Sequence, residues 1–188
     1  MKKNLRLLIL VVGIVVLTSL PSIVKAQTFD KGNLVGNLGV GFGWYGYSYF
    51  GAGISYLPAF SLSLEDGIMN IEKVGVLSVG GLVGLKHGSW NYTGENGSFN
   101  DFIIAARGAI HPDFIKVKKL DTYGGLAIGA RIHNEKFPYS SYVNDNYVRP
   151  LMALYIGGRY YFTDKFSAFS ELGYGLGYFT IGLSFKLK

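Results

Sequence analysis

The chain has no cysteine among its 188 residues, which excludes a disulfide framework, thiolate metal sites and a lipidated cysteine anchor. It is also short of charge, at 16% against about 25% in ordinary soluble domains, so charge cannot be what covers its surface. Beyond the first 26 residues there is no apolar run of helical-span length, so any membrane insertion must be made with strands. Amphipathic helical periodicity is missing as well. Glycine is abundant instead, at 27 residues, and aromatics reach 15%.

The start of the chain reads as an export signal: Lys2, Lys3 and Arg6, then the apolar run Leu7 to Leu17, then Val24-Lys25-Ala26 before Gln27. The run is shorter than the roughly 20 residues of an anchor helix, which disfavours that alternative. The expected organisation is a signal peptide at 1–26 and one domain at 27–188. Lys2, Lys3, Arg6 and Lys25 leave with the signal, so 14 basic residues face 12 acidic ones and the net charge falls from +6 to +2. The basic balance therefore belongs to the export signal, and nucleic acid is excluded as a partner.

Alternation bounded by turn residues predicts eight strands, near 33–46, 52–65, 74–87, 101–112, 121–133, 149–163, 166–174 and 177–188. The last is the plainest: Phe179, Ile181, Leu183, Phe185 and Leu187 alternate with Thr180, Gly182, Ser184, Lys186 and Lys188. Glu65, Lys86, Arg107, Arg131, Arg159, Glu171 and Lys186 all fall on the parity opposite the apolar set. Two barrels of opposite polarity fit such strands. A lipocalin-like carrier would turn a Lys- and Glu-rich face to water. Here the polar parity is mostly Gly, Ser, Ala and Asn, which suits the cramped lumen of an eight-stranded barrel whose apolar parity meets lipid. The last strand should then pair with Leu34 to Trp44 and close the wall.

Several chemical readings follow. Glu65, Arg107, Arg159 and Glu171, with Arg131 and Tyr155 as further members, are expected to form a charge network that plugs the lumen; a gated or narrow pore, or a proton path, is the alternative. Gly41 to Gly46 matches GxGxxG, but no helix follows it, so it is read as lumen spacing and not as a nucleotide site. His87 and Ser89, with Lys86, Glu95 and Asp101 near them, are the one grouping with a bearing on acyl chemistry. His111 and His133 share the lumen parity at opposite ends of their strands, with no carboxylate pair expected beside either, so no metal site is predicted. No catalytic residue and no cofactor is assigned. Aromatic belts are expected at Trp44, Tyr45, Tyr47 and Tyr49 on one rim and at Phe114, Phe162 and Phe166 on the other. The inner turns near 66–73 and 113–120 look long for a barrel, and Pro58, in mid-strand, marks a bulge.

The run GGRYYFTDKFSAFSELGYGLGYFTIGLSFKLK, residues 157 to 188, resembles the terminal strands of the OmpA/OmpX-like small outer-membrane β-barrel family. RGAIHPDF (107 to 114) and KKLDTYGGLAIG (118 to 129) are similar to that family's middle hairpin. The resemblance implies an all-β, eight-stranded, up-and-down transmembrane barrel in the outer membrane of a Gram-negative bacterium. It implies as partners outer-membrane lipid and lipopolysaccharide, the insertion machinery, and an extracellular partner reached through loops 88–100 and 134–148. It fixes no activity, since members are structural proteins, adhesion or serum-resistance factors, and other small barrels are enzymes acting on lipid A. One departure is the end of the chain, where Lys186, Leu187 and Lys188 replace the usual final aromatic.

Overall fold

A computed structural model describes residues 29–43, 53–92, 95–115, 117–136, 146–174 and 177–188. The expected signal peptide and the Trp44 to Tyr49 belt lie outside these residues. Every regular element among them is a strand: β1 (Leu34–Phe42), β2 (Gly53–Tyr56), β3 (Ala59–Ile71), β4 (Gly75–Tyr92), β5 (Glu95–Pro112), β6 (Leu120–Lys136), β7 (Asn146–Tyr161), β8 (Phe166–Tyr174) and β9 (Phe179–Lys186). No described helix is long and apolar enough to cross a membrane, a statement with no bearing on strands.

The wall runs β1-β3-β4-β5-β6-β7-β8-β9 and returns to β1, antiparallel throughout, so eight strands close a barrel. The seam is the one expected, from Val35 opposite Lys186 to Phe42 opposite Phe179. Closure removes the free edges that an open sheet of this length would expose.

The ninth segment, β2, exists because the second strand is interrupted at Pro58. Tyr56 lies opposite Gly88 and Phe60 opposite Leu85, so Leu57, Pro58 and Ala59 face only Lys86 and His87. A proline has no N–H for the ladder, and one extra residue in a bulge accommodates it. The neighbouring Leu57 N–H still bonds the His87 carbonyl at 3.1 Å. A second bulge, at Ile68, separates the pairs Gly67–Ser78 and Met69–Leu77.

Strand ends differ from expectation at both ends of the barrel. The inner turn expected at 66–73 shrinks to Glu72–Val74, because β3 continues to Ile71 and Lys73 takes the left-handed conformation (φ 64°). The outer loop expected at 88–100 is largely paired strand: β4 continues to Tyr92 and β5 begins at Glu95, with Trp90 opposite Gly97. Likewise β6 extends to Lys136 and β7 starts at Asn146, which shortens the expected loop 134–148 to 137–145, outside the described residues. Polar strand residues such as Ser89, Asn91 and Asn96 hide this continuation, because alternation of polarity stops there while the ladder does not.

The predicted polarity is present across the wall. Leu183, Leu38, Leu62, Val83 and Ile104 form one directly opposed row over five strands, all exposed. Glu65, Lys86, Arg107 and Arg159 are buried, and so are Asn37, Ser63, Thr180 and Ser184 on the same parity. Lumen glycines keep room for these groups: a Cβ on Gly182 would stand 2.0 Å from the Leu38 carbonyl oxygen and 2.6 Å from the Phe169 ring. At the rim that holds both ends of the wall, Phe162, Phe166 and Phe185 pack in sequence, with centroids 5.8 and 5.2 Å apart, while Phe114 is exposed.

Candidate functional site in the barrel lumen

Successive lumen-facing residues of β5 read Asp101, Ile103, Ala105, Arg107, Ala109 and His111, and their burial follows the pleat. This single strand sets out the interior as a charged layer, an apolar layer and a second charged layer.

The deeper charged layer is continuous. Arg159 donates from Nη2 to Glu65 Oε2 at 2.9 Å and from Nη1 to Asp121 Oδ2 at 2.9 Å, clamping two carboxylates with one guanidinium. His111 closes the ring between the same two acids, with Nε2 at 2.8 Å from Glu65 Oε1 and Nδ1 at 2.7 Å from Asp121 Oδ1. Both contacts become hydrogen bonds when the ring carries two N–H groups, since ionised carboxylates only accept. Ser78 adds a hydroxyl donated to Glu65 Oε1 at 2.7 Å. Arg159 continues to Asn37, Asn37 to Ser63, and Ser63 accepts from Arg107 Nη1. Arg107 then pairs with Glu171 at 2.8 Å and donates from Nε to the Tyr155 hydroxyl at 3.1 Å, while Tyr123 also donates to Glu171. With His111 protonated, three cations face three carboxylates.

Of the sequence-predicted set, Glu65, Arg107, Arg159, Glu171 and Tyr155 lie in this layer. Arg131 does not: its Nε is 3.9 Å from Asp101 Oδ2 in the other layer. The expectation that neither histidine has a carboxylate pair beside it is overturned at both. His133 Nδ1 is 2.6 Å from Asp101 Oδ1 and its Nε2 is 3.5 Å from Glu135 Oε2. Glu135 also accepts from Trp90 Nε1 at 3.0 Å, and Tyr147 stacks on His133 with centroids 4.6 Å apart. In each case the carboxylates take separate ring nitrogens, an arrangement for hydrogen bonding, and no described group of His, Asp or Glu could hold a metal ion. Asp101, Asp121 and Glu135 could have been found from the sequence: each lies an even number of residues from Arg107 or Arg131 on its own strand.

Between the layers, Ile103, Ala105, Ala127 and Leu151 form a buried apolar collar, joined by Leu82 and Ala153. The lumen cavity bounded by this collar, Arg107, Tyr155 and Glu171 is about 50 Å³, far below the roughly 300 Å³ at which small-molecule sites begin.

The base of the barrel is closed by a segment that strand periodicity does not reveal. Phe29 is buried and stacks on His111 with centroids 3.9 Å apart and planes 13° apart. Its segment is tied down by Gly32 N–H to the Gly67 carbonyl at 2.7 Å and Gly67 N–H to the Asn33 carbonyl at 3.0 Å. A Cβ on Gly67 would meet the Asp30 carbonyl oxygen at 2.5 Å, which is why glycine stands there. Phe29→Ala should destabilise the barrel by about 3 kcal/mol, measured as a lower urea midpoint; an unchanged midpoint would mean that the ring adds nothing to the base.

The residues weighed for acyl chemistry point elsewhere. His87 Nδ1 lies 2.8 Å from Asn100 Oδ1, an amide and not an acid, and Ser89 is exposed on the outward face opposite Ser98. Lys86 and Asp101 belong to the lumen side of the same strands.

No protein-family model and no curated protein matches the chain. Among solved structures it is similar to the N-terminal β-barrel domain of Pseudomonas aeruginosa OprF, at 13% identity over 82% of this chain and 97% of that one, with a TM-score of 0.45. It is similar also to Ail, the attachment invasion locus protein of Yersinia pestis. The identity is 13% (TM-score 0.46) for the complex with the heparin analogue sucrose octasulfate and 12% (TM-score 0.42) for the structure without it, each over 82% of this chain and 94% of that one. The strand registers themselves establish that the chain folds as an eight-stranded, up-and-down β-barrel with its apolar face outward, the architecture that the OmpA/OmpX-like resemblance implies.

Proposed function

We propose that the protein is an integral outer-membrane β-barrel with a structural or surface-interaction role and no catalytic one, its lumen plugged by the Glu65, Arg107, Arg159 and Glu171 network. The reading rests on one observation above all: away from the strand ends the outward face carries large apolar side chains and no charge, while Glu65, Lys86, Arg107 and Arg159 are buried inside. In water that arrangement would expose a continuous greasy belt; in a bilayer it is the low-energy one. The end bearing Leu34 and Lys186 faces the periplasm, and the opposite end, where Tyr92 of β4 pairs with Glu95 of β5, faces out.

The test of the membrane reading is gel mobility of membrane extracts with and without boiling. A closed barrel resists detergent until heated, so two bands are expected, and a single heat-independent band would count decisively against it. The plug has its own test. With two ion-paired layers and the Ile103–Leu151 collar set across the lumen, the barrel in a planar bilayer should pass no steady ion current. Discrete conductance steps from the wild-type chain would overturn the plug in favour of a narrow pore.

The partner surface is reread with the strands. What had the appearance of a loop at 88–100 is a braced hairpin, with Asn91 donating to Asn96 Oδ1 at 2.7 Å. It offers an extracellular partner a fixed face.

A further inference from the structure

We propose that the outward groove at the Pro58 bulge binds the headgroup of an outer-leaflet glycolipid, seating sugar hydroxyls on a row of amides just above the hydrocarbon; this rests on the outer-membrane reading above. Two adjacent rows of the wall differ sharply in polarity. Leu85, Phe102, Ile132 and Val148 lie directly opposite one another across β4, β5, β6 and β7, and all four are apolar. One pleat further out, the corresponding row is His87, Asn100, Asn134 and Asn146, all polar. Ser89, Ser98 and Lys136 follow in the next. The change from hydrocarbon-like to amide side chains is complete within one row, over a width of about 14 Å.

A merely solvated strand end needs polar residues but no such uniformity and no concavity. Here a groove of about 220 Å³ straddles the boundary, with Phe60, Leu85 and Phe102 on its apolar side, His87, Asn100 and Asn134 on its polar side, and exposed Leu57 beside His87. The bulge makes it, since the extra residue at Leu57–Pro58 displaces the wall at that level. The His87–Asn100 hydrogen bond holds two of the polar groups in place. Asn carries both a donor and an acceptor, which a sugar hydroxyl, itself both, can engage in pairs. The occupant must therefore be amphiphilic, lie in the membrane plane and carry hydroxyls at the level of the interface. A glycolipid does, and a phospholipid with a bare phosphate does not. Exposed Lys136 lies one row above, on the side where an acidic sugar or phosphate would project.

The probe is deep-rough lipopolysaccharide, titrated against the detergent-solubilised full-length barrel by native mass spectrometry, with phosphatidic acid as comparison. Wild type should bind the lipopolysaccharide about ten-fold tighter than phosphatidic acid, and the double variant Asn100→Ala/Asn134→Ala should bring the two within about two-fold. Asn100→Gln/Asn134→Gln, which restores the amides, should recover most of the preference. Equal affinities in wild type, or a preference that survives both alanines, would overturn the proposal; so would equal competition by the deacylated oligosaccharide, since that ligand ignores the apolar side of the groove. Each variant is first checked for the heat-dependent gel shift. A wild type that lacks that shift removes the membrane reading itself, whereas a shifted barrel without lipid preference removes only the groove.

Discussion

Leu38→Arg should destabilise the bilayer-embedded barrel by about 2–4 kcal/mol, although Leu38 is 56% exposed and a charge at such a position in a soluble protein would be close to neutral. Leu38 is the central residue of β1 and belongs to the exposed row Leu183–Leu38–Leu62–Val83–Ile104, far from either rim, so an arginine there has little means of reaching water along its stem. The measurement is a urea titration of the refolded protein in lipid vesicles, with Leu38→Ala as the control for lost apolar contact. If arginine costs no more than alanine, that row does not face hydrocarbon, and the polarity assigned to the barrel is wrong.

The second large effect is its mirror image. Arg159→Leu puts an apolar residue into the interior, which in a soluble core would be benign. Here it removes the group that clamps Glu65 and Asp121 at 2.9 Å each and leaves two buried carboxylates with only His111 between them. Removing one partner of a buried ion pair costs about 3–5 kcal/mol, and this guanidinium serves two. The expected result is a large fall in the urea midpoint of the vesicle-embedded barrel. Glu65→Gln on the same background should return part of the loss, because it removes one of the orphaned charges. If Arg159→Leu is neutral, or if Glu65→Gln makes it worse, the lumen charges do not balance one another as the geometry implies.

These two substitutions mark what was legible in the sequence. Parity alone places Leu38 outward and Arg159 inward, because the pleat sends alternate residues to opposite faces and the composition of the polar face separates a lipid-facing barrel from a carrier. The same parity carries Asp101, Asp121 and Glu135, but they lie at or beyond the ends of the strands expected at 101–112 and 121–133, where a boundary error of two residues moves a side chain from wall to loop. Pairing partners are a different matter. That Arg159 meets Asp121 and Glu65 depends on the stagger between strands distant in the chain, and alternation within one strand has no information about stagger. Phe29 escaped for a third reason: it acts through a turn segment outside any periodic run. Pro58 was legible as a bulge, since proline cannot donate to a closed ladder, but not the groove that the bulge opens.

The pairing of β1 with β9 couples the first described strand to the last, and the Leu34 N–H reaches the carbonyl of Lys188 at 3.1 Å. The cylinder therefore cannot shut until β9 has been made. Until then both terminal strands carry unsatisfied backbone groups beside an apolar stripe, a template for any other copy of the chain. The protein's greatest exposure to aggregation thus falls in transit, between ribosome and membrane, and loss of β9 would make that interval permanent.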